Sequence, residues 1–263
     1  MIYLVFPTSW HPSQPYLSLP SLKAFLNMHG VHDVVQRDLA IELLNDLCTW
    51  GKTKPLYERI IRELNELSSR PRLTQPEAEK FNKLREAEEI VMALKDQIDS
   101  AVASQRSQEF YEIDQYMENL KIMDVWLDNI LAPYYPSQLT VIGSQMRFSP
   151  YSSEEVIDSF NHPEENFFYD LYQQWYLPGI LEEDIDILGI SITSVEQIIS
   201  GLTLAYLVKQ NRPEIHITIG GSVFTKLVDR LEKEGSHLFN FVDSFVVHEG
   251  ETPLLKLVEH LRG

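Results

Sequence analysis

The sequence predicts an α/β protein: a doubly wound, five-stranded parallel sheet of the Rossmann-like or flavodoxin-like kind, interrupted by a large helical insertion. Three observations lead there. Short β-branched runs lie near both ends of the chain. Each ends in small hydroxyl or glycine residues and passes straight into a helix pattern, as strands of a parallel sheet do at a binding edge. Between them, residues 40–131 are dense in Glu, Lys, Leu and Ala and almost free of glycine, which favours helix throughout.

Residues 2–6 form an unbroken apolar run that fits a strand buried on both faces. The run ends in Pro7-Thr8-Ser9-Trp10-His11-Pro12-Ser13-Gln14-Pro15, where three prolines in nine residues forbid regular pairing and predict a stiff loop. Leu19, Leu22, Phe25 and Leu26 then fall at helical spacing, with Pro20 in the first turn and Gly30 beyond the last. Residues 31–36 read as a second strand.

In the helical stretch, Leu84, Ala87, Val91, Leu94, Ile98 and Ala101 make one apolar stripe on a long amphipathic helix over residues 76–102, a bundle contact rather than an intermolecular coiled coil. Residues 132–179 are rich in aromatic residues and prolines, with short helices expected after Ser152 and over 166–176; their aromatic side chains read as core.

Regular alternation returns with strands expected over 185–191, 215–219 and 241–247 and helices over 195–210, 222–234 and 253–261. Residues 1–39 and 180–263 are thus expected to form one discontinuous α/β domain, and residues 40–179 a mainly helical insertion.

Composition narrows the function. The 263 residues, 44% hydrophobic, are enough to bury a sizeable core. With 22 basic against 39 acidic residues the formal charge is −17, which opposes nucleic acid and anionic membranes as partners. Residues 1–6 lack a basic n-region and their apolar run stops at Pro7, so neither a signal peptide nor a spanning segment is expected and the cytoplasm is the default location. The lone Cys48 rules out an intrachain disulfide and reads as a buried structural thiol.

The first strand is followed by Pro7-Thr8-Ser9 rather than G-x-G-x-x-G, which disfavours the usual dinucleotide site, and the chain contains no G-x-x-x-x-G-K-[ST] phosphate loop. His29, His32 and His162 have no partner at metal-ligand spacing and read as isolated surface residues; no metal site and no catalytic residue is expected. Glu249-Gly250-Glu251 follows the last strand. Gly250 would let the backbone approach a ligand while the carboxylates accept hydrogen bonds; equally, Glu251-Thr252-Pro253 makes a good helix start.

Four loops in order, Pro7-Thr8-Ser9, Gly189-Ile190-Ser191-Ile192-Thr193-Ser194, Ile219-Gly220-Gly221-Ser222 and His248-Glu249-Gly250-Glu251-Thr252-Pro253-Leu254, resemble the cobalamin-binding domain that precedes the catalytic barrel in B12-dependent radical SAM enzymes. Gln36-Arg37-Asp38-Leu39-Ala40-Ile41-Glu42-Leu43 is similar to the family segment after its second strand. The resemblance implies that cobalamin lies across the carboxyl ends of the strands with its dimethylbenzimidazole tail threaded into the domain. Ser191, Ile192, Thr193 and Ser194 would border the tail channel, while Gly220, Gly221 and Ser222 would admit the nucleotide. Pro7, Thr8, Ser9, Glu249, Gly250 and Glu251 would contact the corrin and its amide arms.

Two departures from the family pattern matter. The D-x-H-x-x-G motif that supplies a lower histidine ligand in other cobalamin proteins is absent, leaving His11 as the one histidine of the first loop. No C-x-x-x-C-x-x-C exists, so S-adenosylmethionine and a [4Fe–4S] cluster would belong to a catalytic domain absent from this chain, acting in cis or in trans. The chain is then expected to be the N-terminal part of a longer enzyme, or else a free-standing domain serving a separate partner. The whole would be a methyltransferase delivering methyl from methylcobalamin to an unreactive carbon, with a peptide as one candidate substrate. The competing expectation is a non-catalytic Rossmann-like sensor or scaffold, although the first loop lacks the acidic pocket of a receiver. A glycosyltransferase half would need a second matching lobe that the helical insertion does not supply.

Overall fold

The computed structural model describes residues 1–11 and 14–263; Pro12 and Ser13 of the expected proline loop lie outside the described residues. In chain order the elements are β1 Ile2–Phe6, α1 Ser18–Met28, β2 Val34–Asp38, α2 Leu39–Leu47, α3 Trp50–Ser68, α4 Gln75–Leu94, α5 Ile98–Ser104 and α6 Ile113–Ile130. A small hairpin of β3 Gln138–Leu139 and β4 Ser144–Gln145 follows, then α7 Ser153–Asp158, α8 Phe167–Leu171 and α9 Leu177–Glu182. The chain ends with β5 Ile187–Ser191, α10 Gln197–Asn211, β6 His216–Gly220, α11 Ser222–Lys226, α12 Val228–Glu234, β7 Ser244–Phe245 and α13 Glu251–Arg262.

Two compact units result. A sheet unit comprises Met1–Ala40, Phe148–Pro163 and Phe168–Gly263; a helical unit comprises Ile41–Arg147 and Glu164–Phe167. Residues 148–163 and 168–179, expected with the insertion, therefore group with the sheet. The aromatic side chains account for this: Phe160 stacks on Tyr206 of α10 at 4.6 Å and meets Phe241 edge-on at 5.5 Å. Such pairs join segments far apart in sequence and leave no periodic trace in it.

The sheet has the order β2-β1-β5-β6-β7 with every pair parallel. Counting only these five strands, that is the 2-1-3-4-5 order of doubly wound folds, with its topological switch between β1 and β5. β1 and β5 are buried on both faces, as their unbroken apolar sequences require.

On one face Ile2, Leu4, Phe6 and Ile187 pack against Leu19 and Leu26 of α1 and Leu254, Leu255 and Val258 of α13. The other face is covered by α10, which is buried along most of its length and packs on β5, α7 and α9. Full burial of each leucine or isoleucine stabilises by roughly 2 kcal/mol.

The edges depart from expectation. The second strand is shifted to Val34–Asp38 and the last shrinks to Ser244–Phe245, although Val246 N–H still donates to the Ile219 carbonyl at 2.8 Å. The helix expected over 222–234 divides at Leu227, whose φ of −101° and ψ of 8° interrupt it.

In the helical unit, α4 begins with a capping box: Thr74 Oγ1 accepts from Glu77 N–H while Thr74 N–H donates to Glu77 Oε2 at 2.8 Å. The expected single helix is interrupted after Leu94, giving α4 and α5, yet its stripe still buries Leu84, Ala87, Val91, Ile98 and Ala101. Trp126 of α6 is buried and donates its indole N–H to the Leu47 carbonyl at 2.7 Å. Cys48 is buried, and burial raises its thiol pKa, so it stays protonated and inert.

At the amino ends of the strands, Arg262 of α13 donates to both Asp33 oxygens, at 2.9 and 2.8 Å, and to Asp186 at 2.9 and 3.2 Å. Burial alone would raise the Asp186 carboxyl, but hydrogen bonds and charge from Arg262 and the Met1 amino group outweigh it and hold it at about 2. The Arg262 hydrogen bond lowers Asp33 as well. Both carboxylates are depressed, so their contribution to stability is complete above about pH 4 and is lost as pH falls toward 2.

With side chains 51% and 44% exposed, solvent screening limits the effect to about 1 kcal/mol. Thermal melts between pH 6 and 2 should show Arg262→Met losing less stability across that window than wild type. Parallel curves would mean the cluster contributes nothing.

Candidate functional site

The sequence of the sheet builds a cavity. On the face covered by α1 and α13, every second residue of β5 and β6 points toward those helices. At the carboxyl halves of the strands these positions are Gly189, Ser191, Thr218 and Gly220, all small. Leu4 lies opposite Gly189, Gly189 opposite Thr218, and Ser191 opposite Gly220 in the register. At Ser191, Thr218 and Gly220 a layer that Ile or Leu would fill is left open, whereas the space over Gly189 is taken by Leu4, whose Cδ2 a Cβ there would meet at 2.8 Å.

The result is a cavity of about 780 Å³ between the sheet and α1 and α13, reaching to Leu4, Gly189, Thr218 and Leu254 and bordered by the loops after β5, β6 and β7. Its size lies within the range of small-molecule and cofactor sites.

Eight of the thirteen residues named from sequence line it: Ser191 and Thr193 after β5, Gly220, Gly221 and Ser222 after β6, and Glu249, Gly250 and Glu251 after β7. The side chains are held in place. Ser191 Oγ donates to Ser18 Oγ at 3.0 Å, and Ser222 Oγ to the Thr193 carbonyl at 2.9 Å. His248, at φ 63°, donates its backbone N–H to Thr225 Oγ1 at 2.9 Å.

A polar chain runs into the wall. Ser244 Oγ donates to Thr218 Oγ1 at 2.9 Å, and with that proton committed the His216 Nε2–H is the donor to Ser244 Oγ, also at 2.9 Å. Burial lowers the His216 pKa, as does Lys209, against the opposing pull of Asp243.

The other five residues are placed elsewhere. Thr8 is buried, its hydroxyl 2.9 Å from that of Tyr172. Burial raises the Tyr172 phenol to about 12, so it remains a neutral hydrogen-bonding group. The Pro7 carbonyl accepts from Gln197 Nε2 at 2.8 Å, and Ser9 turns the chain at φ 72°. Ile192 is buried beneath Gly201 and Gly221. Ser194 donates its backbone N–H to Gln197. His11 is not among the residues bordering the cavity.

The Pro7-Thr8-Ser9 start of the loop after β1 thus faces α10 rather than the cavity, because Gln197 and Tyr172 claim its polar groups, while Pro15, Tyr16 and Leu17 at the end of the same loop line the cavity. Gln197 is fully buried and its Oε1 also accepts from Thr193 N–H, Thr193 Oγ1 and Ser194 N–H.

Gly220 and Gly221, read together from sequence as room for a nucleotide, have different reasons to be glycine. A Cβ on Gly220 would make only ordinary contact, 3.5 Å from the Val246 carbonyl oxygen. A Cβ on Gly221 would lie 2.1 Å from the Ile192 carbonyl oxygen, and its φ of 109° is open only to glycine among L residues.

Sequence reading missed Gly189, Thr218, Ser18, Thr225 and Lys226 as cavity residues. The trace was present for the first two: small residues at every second position of otherwise β-branched strands. Among the described residues no group of three or more His, Cys, Asp or Glu side chains is placed to hold a metal ion, and no helix is long and apolar enough to cross a membrane.

The fold and cavity define an α/β domain with a doubly wound parallel sheet and a ligand-sized site at the carboxyl edge of its strands. No known family model matches the chain, and no curated protein or solved structure matches it.

Proposed function

We propose that the sheet unit binds cobalamin as the N-terminal domain of a B12-dependent radical SAM enzyme, whose catalytic domain would carry the [4Fe–4S] cluster and S-adenosylmethionine, in cis or in trans. The observation that carries this reading is the cavity between the sheet and α1 and α13, opened by the small residues Ser191, Thr218 and Gly220. Its volume of about 780 Å³ suits a nucleotide arm rather than a whole corrinoid, which matches a cofactor whose macrocycle rests outside while its tail is enclosed.

The lining suits such an arm. Leu4 and Leu254 offer an apolar floor for an aromatic base, the hydroxyls of Ser191, Thr193 and Ser222 and the Glu249 carboxylate can serve ribose and amide groups, and Lys226 can neutralise a single phosphodiester. When bound, cobalamin supplies a cobalt centre that carries a methyl group. This chain's residues would bind and orient it. Methyl transfer to an unreactive carbon, on a peptide or another acceptor, would take place on the partner domain.

The test is direct. Mixed with hydroxocobalamin and desalted, the protein should retain corrin absorbance near one equivalent. Ser191→Trp, which fills the cavity from a position 7% exposed, should reduce retention at least tenfold while the far-ultraviolet dichroism stays that of wild type. Wild type that is folded yet retains no corrinoid would remove the cobalamin reading and leave a scaffold role for the domain.

A further inference from the structure

In the helical unit, Tyr111, Ile113 and Met117 are 75%, 77% and 58% exposed, three large apolar side chains within seven residues. Ile113 and Met117 stand one turn apart on α6 and therefore side by side. Phe110 extends the group, meeting the rings of Tyr111 and Tyr116 edge-on at 5.3 and 5.2 Å. Single exposed apolar residues are ordinary on a protein surface, whereas a contiguous group marks a place of contact.

The same stretch has a charge pattern. Residues 106–121 contain Glu109, Glu112, Asp114 and Glu118 against two cations at the ends, Arg106, which donates to Asn45 Oδ1, and Lys121, one turn beyond Met117, so the patch is acidic on balance. Asp114, in the first turn of α6, suits the helix N-terminus; Glu118, a turn further along, has no such role.

We propose that this patch docks a cationic amphipathic peptide segment of a partner protein. Apolar side chains of the segment would cover Tyr111, Ile113 and Met117, and its Lys and Arg residues would lie over the carboxylates and aromatic rings. Charge selects this occupant. A second copy of the chain would set one net-acidic patch against another, and an anionic bilayer or nucleic acid would be repelled by the same carboxylates. This surface belongs to the helical unit and does not depend on the cobalamin reading.

A fluorescein-labelled 18-residue amphipathic helix with leucine on one face and lysine on the other is a suitable probe, read by fluorescence anisotropy at low and moderate salt. Wild type should bind it, and a peptide with glutamate in place of lysine should not bind. Ile113→Ser with Met117→Ser, and separately Glu112→Lys with Glu118→Lys, should each weaken binding at least tenfold. Asp229→Lys with Glu232→Lys, an equal charge change on α12, should weaken it less than threefold.

All four altered residues of the patch are exposed, so dichroism should match wild type. Equal losses from the patch and α12 charge changes would show attraction to overall charge only and overturn the proposal. So would no binding by wild type, or sedimentation showing a wild-type dimer that Ile113→Ser with Met117→Ser converts to monomer.

Discussion

Gly221→Ala should unfold the carboxyl edge of the sheet, while Gly220→Ala beside it should be nearly silent. At Gly221 the new Cβ would lie 2.1 Å from the Ile192 carbonyl oxygen and 2.6 Å from its carbon, both backbone atoms that no rotamer change can move. The φ of 109° adds conformational strain for any residue with a Cβ. Together these should cost about 4 kcal/mol or more. At Gly220 the nearest neighbour is 3.5 Å away, and the change should stay within about 1 kcal/mol. Melts of the two variants, on the order of 10 °C apart, would establish the difference. Equal melting temperatures would mean that the chain does not approach itself at Ile192 as described. The pair also separates folding from binding: a Gly221 variant that fails to hold a ligand says nothing about the ligand, whereas Gly220→Ala only narrows the cavity by one methyl group.

The same contrast shows what a sequence can carry. Adjacent glycines after a strand are visible as a pattern, but whether each is demanded by a ligand or by the chain's own backbone depends on a segment nearly thirty residues away. The apolar runs at 2–6 and 187–191 were legible because burial on both faces leaves no polar alternation to disguise them, and Ile-His-Ile-Thr-Ile at 215–219 was legible by its period of two. The edge strand β7 was overextended because Val246 and Val247 carry strand propensity without a second neighbour to pair with. The placing of residues 148–179 was not legible, since Phe160 meets Tyr206 and Phe241 by geometry that no local spacing encodes. For the cavity, the loops at the strand ends were readable and its floor was readable in principle from the small residues at 189, 191, 218 and 220. The diversion of Pro7-Thr8-Ser9 to the opposite face was not, because it depends on two buried polar side chains, Gln197 and Tyr172, hidden within apolar and aromatic segments.

Gln197→Leu should be the most damaging polar substitution in the sheet unit. Gln197 opens α10, whose following residues are almost all buried, and its amide joins the loops after β1 and β5 through four hydrogen bonds of 2.8, 2.9, 3.0 and 3.2 Å. Leucine has nearly the same volume and would satisfy packing, so the loss isolates the polar contribution. It leaves the buried Pro7 carbonyl and the half-buried Thr193 and Ser194 amides without their present partner. At about 1–3 kcal/mol for the buried carbonyl and less for the two amides, which water can reach, the net cost should be roughly 2–4 kcal/mol. Hydrogen exchange gives the sharper reading: protection at Thr193 and Ser194 should fall to the level of open loops while the amides of β1 and β5 remain protected. The loop bearing Thr193 also borders the cavity, so corrinoid retention should weaken in this variant even though Gln197 itself does not line the site. Unchanged exchange at Thr193 and Ser194 would show that Gln197 merely fills space, and the rigidity of the cavity rim would then need another source.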